Sequence, residues 1–203
     1  MKFVSTKDPT LSFSFKQGVE LGLAPDGGLL VPKNFPRLDV KSFLQKYSGN
    51  STLSSLTNMP SLIDVSVLML HSFLGDEFSK DEIQSLAESS FSFPVPLKQW
   101  DKDIFCLELF HGPTAAFKDV AAQFISQFMD FAVPNKQTIL VATSGDTGGA
   151  IASAFDGHLR FHVVVLFPVN GVSPLQKHQL TCWSKNVISL GVDGSFDDCQ
   201  KIV

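Results

Sequence analysis

The chain has 203 residues, 44% of them hydrophobic and 18% charged, with a net charge of -4. Such a length suits one large domain or two small ones, and the apolar content excludes disorder as a global description. The charge balance shows none of the basic excess of a nucleic-acid binder, and apolar runs such as 163–167 are strand-sized, far below the roughly 18 residues of a membrane span.

The first nine residues turn polar at once, unlike a secretory leader. Cys106, Cys182 and Cys199 are odd in number and widely spaced. They suggest neither a disulfide framework nor a zinc site, and a reducing cytoplasm is the simplest setting. Ser14 is placed to cap a short helix carrying Phe15 and Val19. Pro25-Asp26-Gly27-Gly28 is a turn signal. Asp39 can cap a helix ending near Gly49, and the Ser-, Thr- and Asn-rich stretch 48–61 reads as a loop. Residues 62–74 are apolar at helical spacing, with Gly75 as the stop. Ser79-Lys80-Asp81-Glu82 is a capping box opening another helix. Nothing before residue 95 has a catalytic pattern, and there is no internal repeat.

Pro94-Val95-Pro96 marks an expected boundary between a mainly helical region, 1–95, and a second region, 96–203. The pattern then changes. A strand is expected over 104–109, and a helix over 117–131 with Phe117, Val120, Ala121, Phe124, Ile125 and Phe128 on one face. Buried strands are expected over 138–142 and 162–167, with a small-residue helix over 147–155, closed by Gly157, between them. Ser173, Pro174 and Gln176 stand at N-cap, N1 and N3 of the next helix, and a further strand covers 187–192. Alternating β and α units with continuous apolar strands predict an α/β fold with a parallel sheet. Ser195 starts one more helix about two turns before Val203, with no C-cap. Natural domains rarely end in this way.

Two turns carry chemistry. The first, residues 143–150, follows a strand and opens a helix. Its backbone N–H groups, at the positive end of a helix dipole, form an anion site. Gly145 and Gly148 permit close approach, and Ser144 and Thr147 add hydroxyls. The Gly-Lys-Ser/Thr ending of a P-loop and the GxGxxG dinucleotide pattern are both absent. A tight turn that only allows helix-on-sheet packing explains the same residues. The second turn is His111-Gly112-Pro113-Thr114-Ala115-Ala116-Phe117-Lys118-Asp119. Lys118 falls at a helix start, where the dipole disfavours a positive charge by some tenths of a kcal/mol. Only a neutral amine attacks a carbonyl, so this placement suits a nucleophilic lysine. A solvated lysine paired with Asp119 is the plainer alternative.

Together these segments resemble threonine synthase, a pyridoxal-phosphate (PLP) family of fold type II. The family's His-Gly-Pro-Thr-x-Ala-Phe-Lys-Asp motif matches residues 111–119, and its Ser-Gly-Asp-Thr-Gly turn matches 144–148. Its N-terminal signature matches Ser5-Thr6 and then 24–29 with Pro32, and 173–179 is similar to a further family segment. The resemblance implies a helical N-terminal region followed by parallel β/α units of an incomplete fold-type II enzyme. It implies that Lys118 carries PLP as a Schiff base and shuttles protons, and that Phe117 lines the cofactor site. Ser144, Gly145, Asp146 and Thr147 would lie at the substrate carboxylate and the cofactor's 3-hydroxyl, with Ser144 and Thr147 touching substrate. The implied reaction converts O-phospho-L-homoserine and water to L-threonine and phosphate, the last step of threonine biosynthesis.

The family's Gly-Asn-x-Gly loop for the PLP phosphate is not in this sequence, nor is a partner for the pyridine nitrogen. The isolated chain is therefore expected to bind PLP weakly and to be inactive. A threonine synthase-like phospholyase and a non-catalytic anion-binding module stay open, and a homodimer is compatible. No metal site is expected at His158 and His162, which lack a third ligand. His71 and His178 are expected at the surface, Lys177 and Arg160 as solvated charges, and the 19 Phe residues, with Cys182 and Cys199, in the core.

Overall fold

The computed structural model describes residues 1–47 and 60–203. These form two compact units, Met1–Ser89 and Ser90–Val203. Among the described residues no helix is long and apolar enough to cross a membrane.

In the first unit β1 (Phe3–Ser5) lies between β2 (Ser12–Phe13) and β3 (Leu30–Pro32) in a small antiparallel sheet. Strands of two or three residues are too short for alternation to show, so this sheet is not readable from the pattern. Helix α1 (Phe15–Leu21) begins at Ser14 as expected, in a capping box with Gln17. The Glu77 carboxylate also accepts from the Phe15 and Lys16 amides at 2.7 and 3.3 Å, a negative charge where the helix dipole favours one. Helix α2 (Val40–Gln45) is capped by Asp39 but ends well before Gly49. Lys46 and Tyr47 bond three residues back, to Phe43 and Leu44 carbonyls, and so tighten its last turn. The loop expected over 48–61 lies, for 48–59, outside the described residues. Helix α3 (Leu62–Leu74) has the expected bounds, and α4 (Lys80–Ser90) opens on the Ser79–Glu82 pair. Phe3, Val4, Leu74, Ile83, Leu86 and Ala87 are buried and form the core of this unit.

The N-terminal signature acquires a physical reason. The Ser5 hydroxyl donates to the Asp26 carboxylate at 2.8 Å, which also accepts from the Gly28 amide at 2.8 Å. The Leu29 amide donates to the Thr6 hydroxyl at 3.0 Å. A Cβ on Gly28 would stand 2.2 Å from Ser5 Oγ, so only glycine fits this clasp.

Capping carboxylates make the fold sensitive to acid. The Gly28 amide and Ser5 hydroxyl hold Asp26 below the usual carboxylate range, the Ser61 hydroxyl and amide do so for Asp64, and the Ser79 hydroxyl and amide for Glu82. A depressed folded pKa adds stability that is complete above the unfolded value and lost as pH falls through the folded one. Thermal midpoints are thus expected to be flat above about pH 5 and to drop below about pH 4. Asp64→Asn with Glu82→Gln should flatten that drop; an unaltered acid profile in the double variant would contradict the assignment.

In the second unit β4 (Leu97–Asp101) and β5 (Ile104–Leu107) form an antiparallel hairpin. The strand expected to reach residue 109 stops at Leu107, and its partner β4, whose apolar pattern is broken by Lys98 and Gln99, carries little strand signal. Helix α5 (Lys118–Ala132), β6 (Gln137–Ala142), α6 (Asp146–Phe155), β7 (Phe161–Pro168), α7 (Pro174–Thr181), β8 (Val187–Val192) and α8 (Phe196–Ile202) then alternate. The last three strands are parallel, in the order β6-β7-β8. Central β7 buries Phe161, Val163 and Val165 completely. Strand β6 is not the buried strand expected: it is an edge strand with alternating exposure.

Three side-chain expectations are corrected. Helix α5 buries Ala122, Ser126, Phe128 and Met129, so of the predicted stripe only Phe128 reaches the core. Arg160 is not a solvated charge. It donates to the Val133 carbonyl at 2.8 Å and to the Asp130 carbonyl and carboxylate, tying the end of α5 to β7. Cys199 is buried but Cys182 is exposed, and Phe35, Phe105, Phe110 and Phe117 are all more than half exposed.

Candidate functional site

The loop before α5 is tied down through Thr114. Its N–H and hydroxyl donate to the Asp119 carboxylate at 2.9 and 2.6 Å, and its carbonyl accepts from Gln179 Nε2 at 3.3 Å. Asp119 is fully buried, and a Cβ on Gly112 would come within 2.6 Å of its carboxylate. Ala115 adopts a left-handed φ of 57°, uncommon for a residue with a Cβ. Asp119 is therefore committed to the loop and not to Lys118. Among the described residues Lys118 has no carboxylate partner. It is the first residue of α5, half-buried, with Nζ 4.2 Å from the centre of the Phe117 ring. His111 Nε2 lies 2.8 Å from Glu108 Oε2.

The turn entering α6 is built around Thr143, whose role the sequence reading missed. Its buried hydroxyl accepts from the Gly145 and Gly148 amides at 3.0 and 2.9 Å. Two of the amides expected to face a ligand are thus already used. Among the described residues the Asp146 and Thr147 amides take no protein acceptor. A threonine two residues before the helix cap was the available signal, since such hydroxyls bond nearby amides. Gly145 has φ 143°, and a Cβ there would lie 2.3 Å from Gln176 Nε2. Thr143→Val keeps the shape and strands two buried amides, so we expect a loss of about 2 kcal/mol in denaturant unfolding. A loss below about 0.5 kcal/mol would show that water replaces the hydroxyl.

Lys118 and Thr147 line one cavity of about 430 Å³, with Ala121, Phe124, Ile125 and Ile151 among its apolar walls. One residue from each turn thereby meets the other, Thr147 lying just past the carboxyl end of β6, the side on which open α/β sheets bind ligands. Ser144, Gly145 and Asp146 form the adjoining turn and do not line the cavity; neither does Phe117, which is 61% exposed. A larger cavity of about 680 Å³ lies at the opposite strand ends. Its charges are already paired, Arg160 with Asp130 at 2.8 Å and Lys185 with Asp156 at 3.4 Å, which leaves little to hold a ligand.

Residues 2–91 match the family described as "Threonine synthase N terminus". The whole chain aligns at 36% identity with 45% of threonine synthase from Escherichia coli (strain K12). It aligns at 38% with 46% of the threonine synthase of Buchnera aphidicola subsp. Acyrthosiphon pisum. The crystal structure of the E. coli enzyme superposes on all of the chain with a TM-score of 0.86 at 35% identity, over 45% of that structure's length. A PLP-bound threonine synthase from Brucella melitensis gives 0.84 at 36%, over 43% of its length. The chain thus spans about half the length of the curated relatives it matches. Fold and neighbours define the class: the α/β fold of fold-type II enzymes, with parallel sheet units. Residues 2–91 match the N-terminal domain of the threonine synthase family, and the chain is similar along its whole length to threonine synthases.

Proposed function

We propose that this chain carries the lysine-bearing part of a PLP-dependent carbon–oxygen lyase site acting on a phosphorylated amino acid. On this reading the whole site converts O-phospho-L-homoserine and water to L-threonine and phosphate. The observation that carries it is the meeting of Lys118 and Thr147 in one cavity.

The donor set fits PLP. Lys118 supplies an amine for the cofactor's aldehyde carbon and, once released, a proton carrier for the substrate carbons. When bound, PLP supplies the electron sink for carbanion chemistry. The Ser144 and Thr147 hydroxyls, with the Asp146 and Thr147 amides, suit an anionic oxygen such as a substrate carboxylate or the cofactor's 3-hydroxyl. Asp146 would oppose an anion there, but its Oδ1 accepts from Gln176 Nε2 at 3.0 Å, which occupies one carboxylate oxygen. Gly145 lets the backbone approach closely, and the exposed Phe117 ring beside Lys118 offers a face to the cofactor. A cytoplasmic setting and a homodimer go with this reading through the family resemblance.

The sequence holds no Gly-Asn-x-Gly loop, so the 203 residues are expected to bind PLP weakly and turn over nothing measurable. The test is to titrate the chain with PLP by visible absorption and then add O-phospho-L-homoserine. A weak saturable change without phosphate release is expected. Absence of any change removes the cofactor reading and leaves the anion-binding module. Robust turnover removes the claim of inactivity, and its product, threonine or ketobutyrate, separates synthase from phospholyase.

A further inference from the structure

Helix α7 has a place in neither turn, yet it touches both. Gln176 and Gln179 are three residues apart, so they share one face of the helix. Gln176 Nε2 donates to Asp146 Oδ1 at 3.0 Å, and Gln179 Nε2 donates to the Thr114 carbonyl at 3.3 Å. Both side chains are half-buried. The other end of Gln176 is fixed as well, because its Oε1 accepts from the Ser173 amide at 3.0 Å in the capping box of α7. Gly145 leaves room for this side chain where a Cβ would collide with it.

We propose that Gln176 and Gln179 are positioning residues: they clamp the 112–115 loop and the 145–146 turn to a single rigid helix and so set Lys118 and Thr147 in register. The clamp rests on the reading of those turns as the PLP site, but it is a statement about this chain's own hydrogen bonds. Gln179 completes the fixation of Thr114, whose other two polar groups are held by Asp119. Gln176 holds the Asp146 carboxylate at the helix start, beside the two amides that take no acceptor among the described residues. Neither glutamine touches a reacting atom; each acts through the backbone or side chain it holds.

Gln176→Glu and Gln179→Glu test the clamp with little change of shape. Each removes the donated bond, and Gln176→Glu keeps the Oε1 that caps α7. Two readouts are taken on the 203-residue chain: amide hydrogen exchange at 112–115 and 145–148, and the fraction of Lys118 modified by subsaturating PLP after borohydride reduction. Loss of one neutral hydrogen bond corresponds to roughly a fivefold change in a local opening equilibrium. Gln179→Glu should raise exchange at 112–115 by about that factor, and Gln176→Glu should raise it by more at 145–148, because its bond is to the Asp146 carboxylate and the new carboxylate repels it. Both should lower modification of Lys118, while exchange in β7 and β8 and the Lys177→Ala control remain as in the parent chain. Unchanged exchange at both turns overturns the clamp. So does unchanged Lys118 modification in both variants when the parent chain is modified. If the parent chain takes no PLP on Lys118, the site reading falls, and the exchange data alone decide the clamp.

Discussion

Lys118→Ala leaves the second unit folded and abolishes capture of PLP at that position. The small effect on stability follows from two opposing contributions. A positive charge at the first residue of α5 works against the helix dipole by about 0.3–1 kcal/mol. The ammonium over the Phe117 ring at 4.2 Å recovers about 0.5–1 kcal/mol, the range for exposed cation–π pairs. No described carboxylate loses a partner when the side chain goes, because Asp119 is bonded to Thr114. The chemical effect is complete. Capture requires the amine to join the aldehyde carbon with loss of water, and borohydride then fixes the bond by adding hydride to that carbon. Peptide mapping by mass spectrometry should find the added mass on Lys118 in the parent chain in preference to exposed lysines such as Lys177. It should be absent at this position in Lys118→Ala and in Lys118→Arg, which keeps the charge without the nucleophile. Equal labelling of Lys177 and Lys118 in the parent chain would show that the position confers no special reactivity.

Local chemistry was the legible part of this fold. Ser14, Ser79 with Glu82, Ser173 with Gln176 and Ser195 start their helices as expected, through pairings within three residues, a range over which hydroxyl and backbone can be paired by reading alone. The parallel strands were legible for the same reason, since their apolar runs are continuous and separated by helix-length spacings. Long-range bonds were not. Arg160 reaches back 27 and 30 residues, and the strands of the first sheet are too short to announce themselves. Gln176 shows both sides in one residue. Its carbonyl oxygen closes a capping box that spacing predicts, while its amide nitrogen holds Asp146, 30 residues away, which no periodicity encodes. At the candidate site, the family motifs pointed to Lys118 and the 144–148 turn, while sequence spacing misjudged their partners. Asp119 follows Lys118 directly and looked like its counter-ion. On a helix, neighbours in sequence point about 100° apart, and Asp119 takes the buried side.

That burial makes Asp119 the most consequential carboxylate near the site. Asp119→Ala removes the acceptor for the Thr114 amide at 2.9 Å and for its hydroxyl at 2.6 Å. Hydrogen bonds to a charged acceptor contribute about 1.5–3 kcal/mol each, offset in part by the desolvation of the carboxylate itself. A net loss of about 3 kcal/mol in chemical denaturation is expected, large for a single substitution. Asp119→Asn should cost less, since its remaining oxygen still accepts one bond and the Thr114 hydroxyl can rotate to accept from the new amide. Gly112→Ala should strain the same place from the other side, because its Cβ would fall 2.6 Å from the Asp119 carboxylate; overpacking of this kind costs about 1–3 kcal/mol. Thr114→Val and Asp119→Ala both remove the bond from the Thr114 hydroxyl to the carboxylate, so the double variant should lose less than the two single losses added. Simple additivity in that cycle would mean that the Thr114 hydroxyl adds nothing to the anchor, which would then rest on the bond from the Thr114 amide to Asp119.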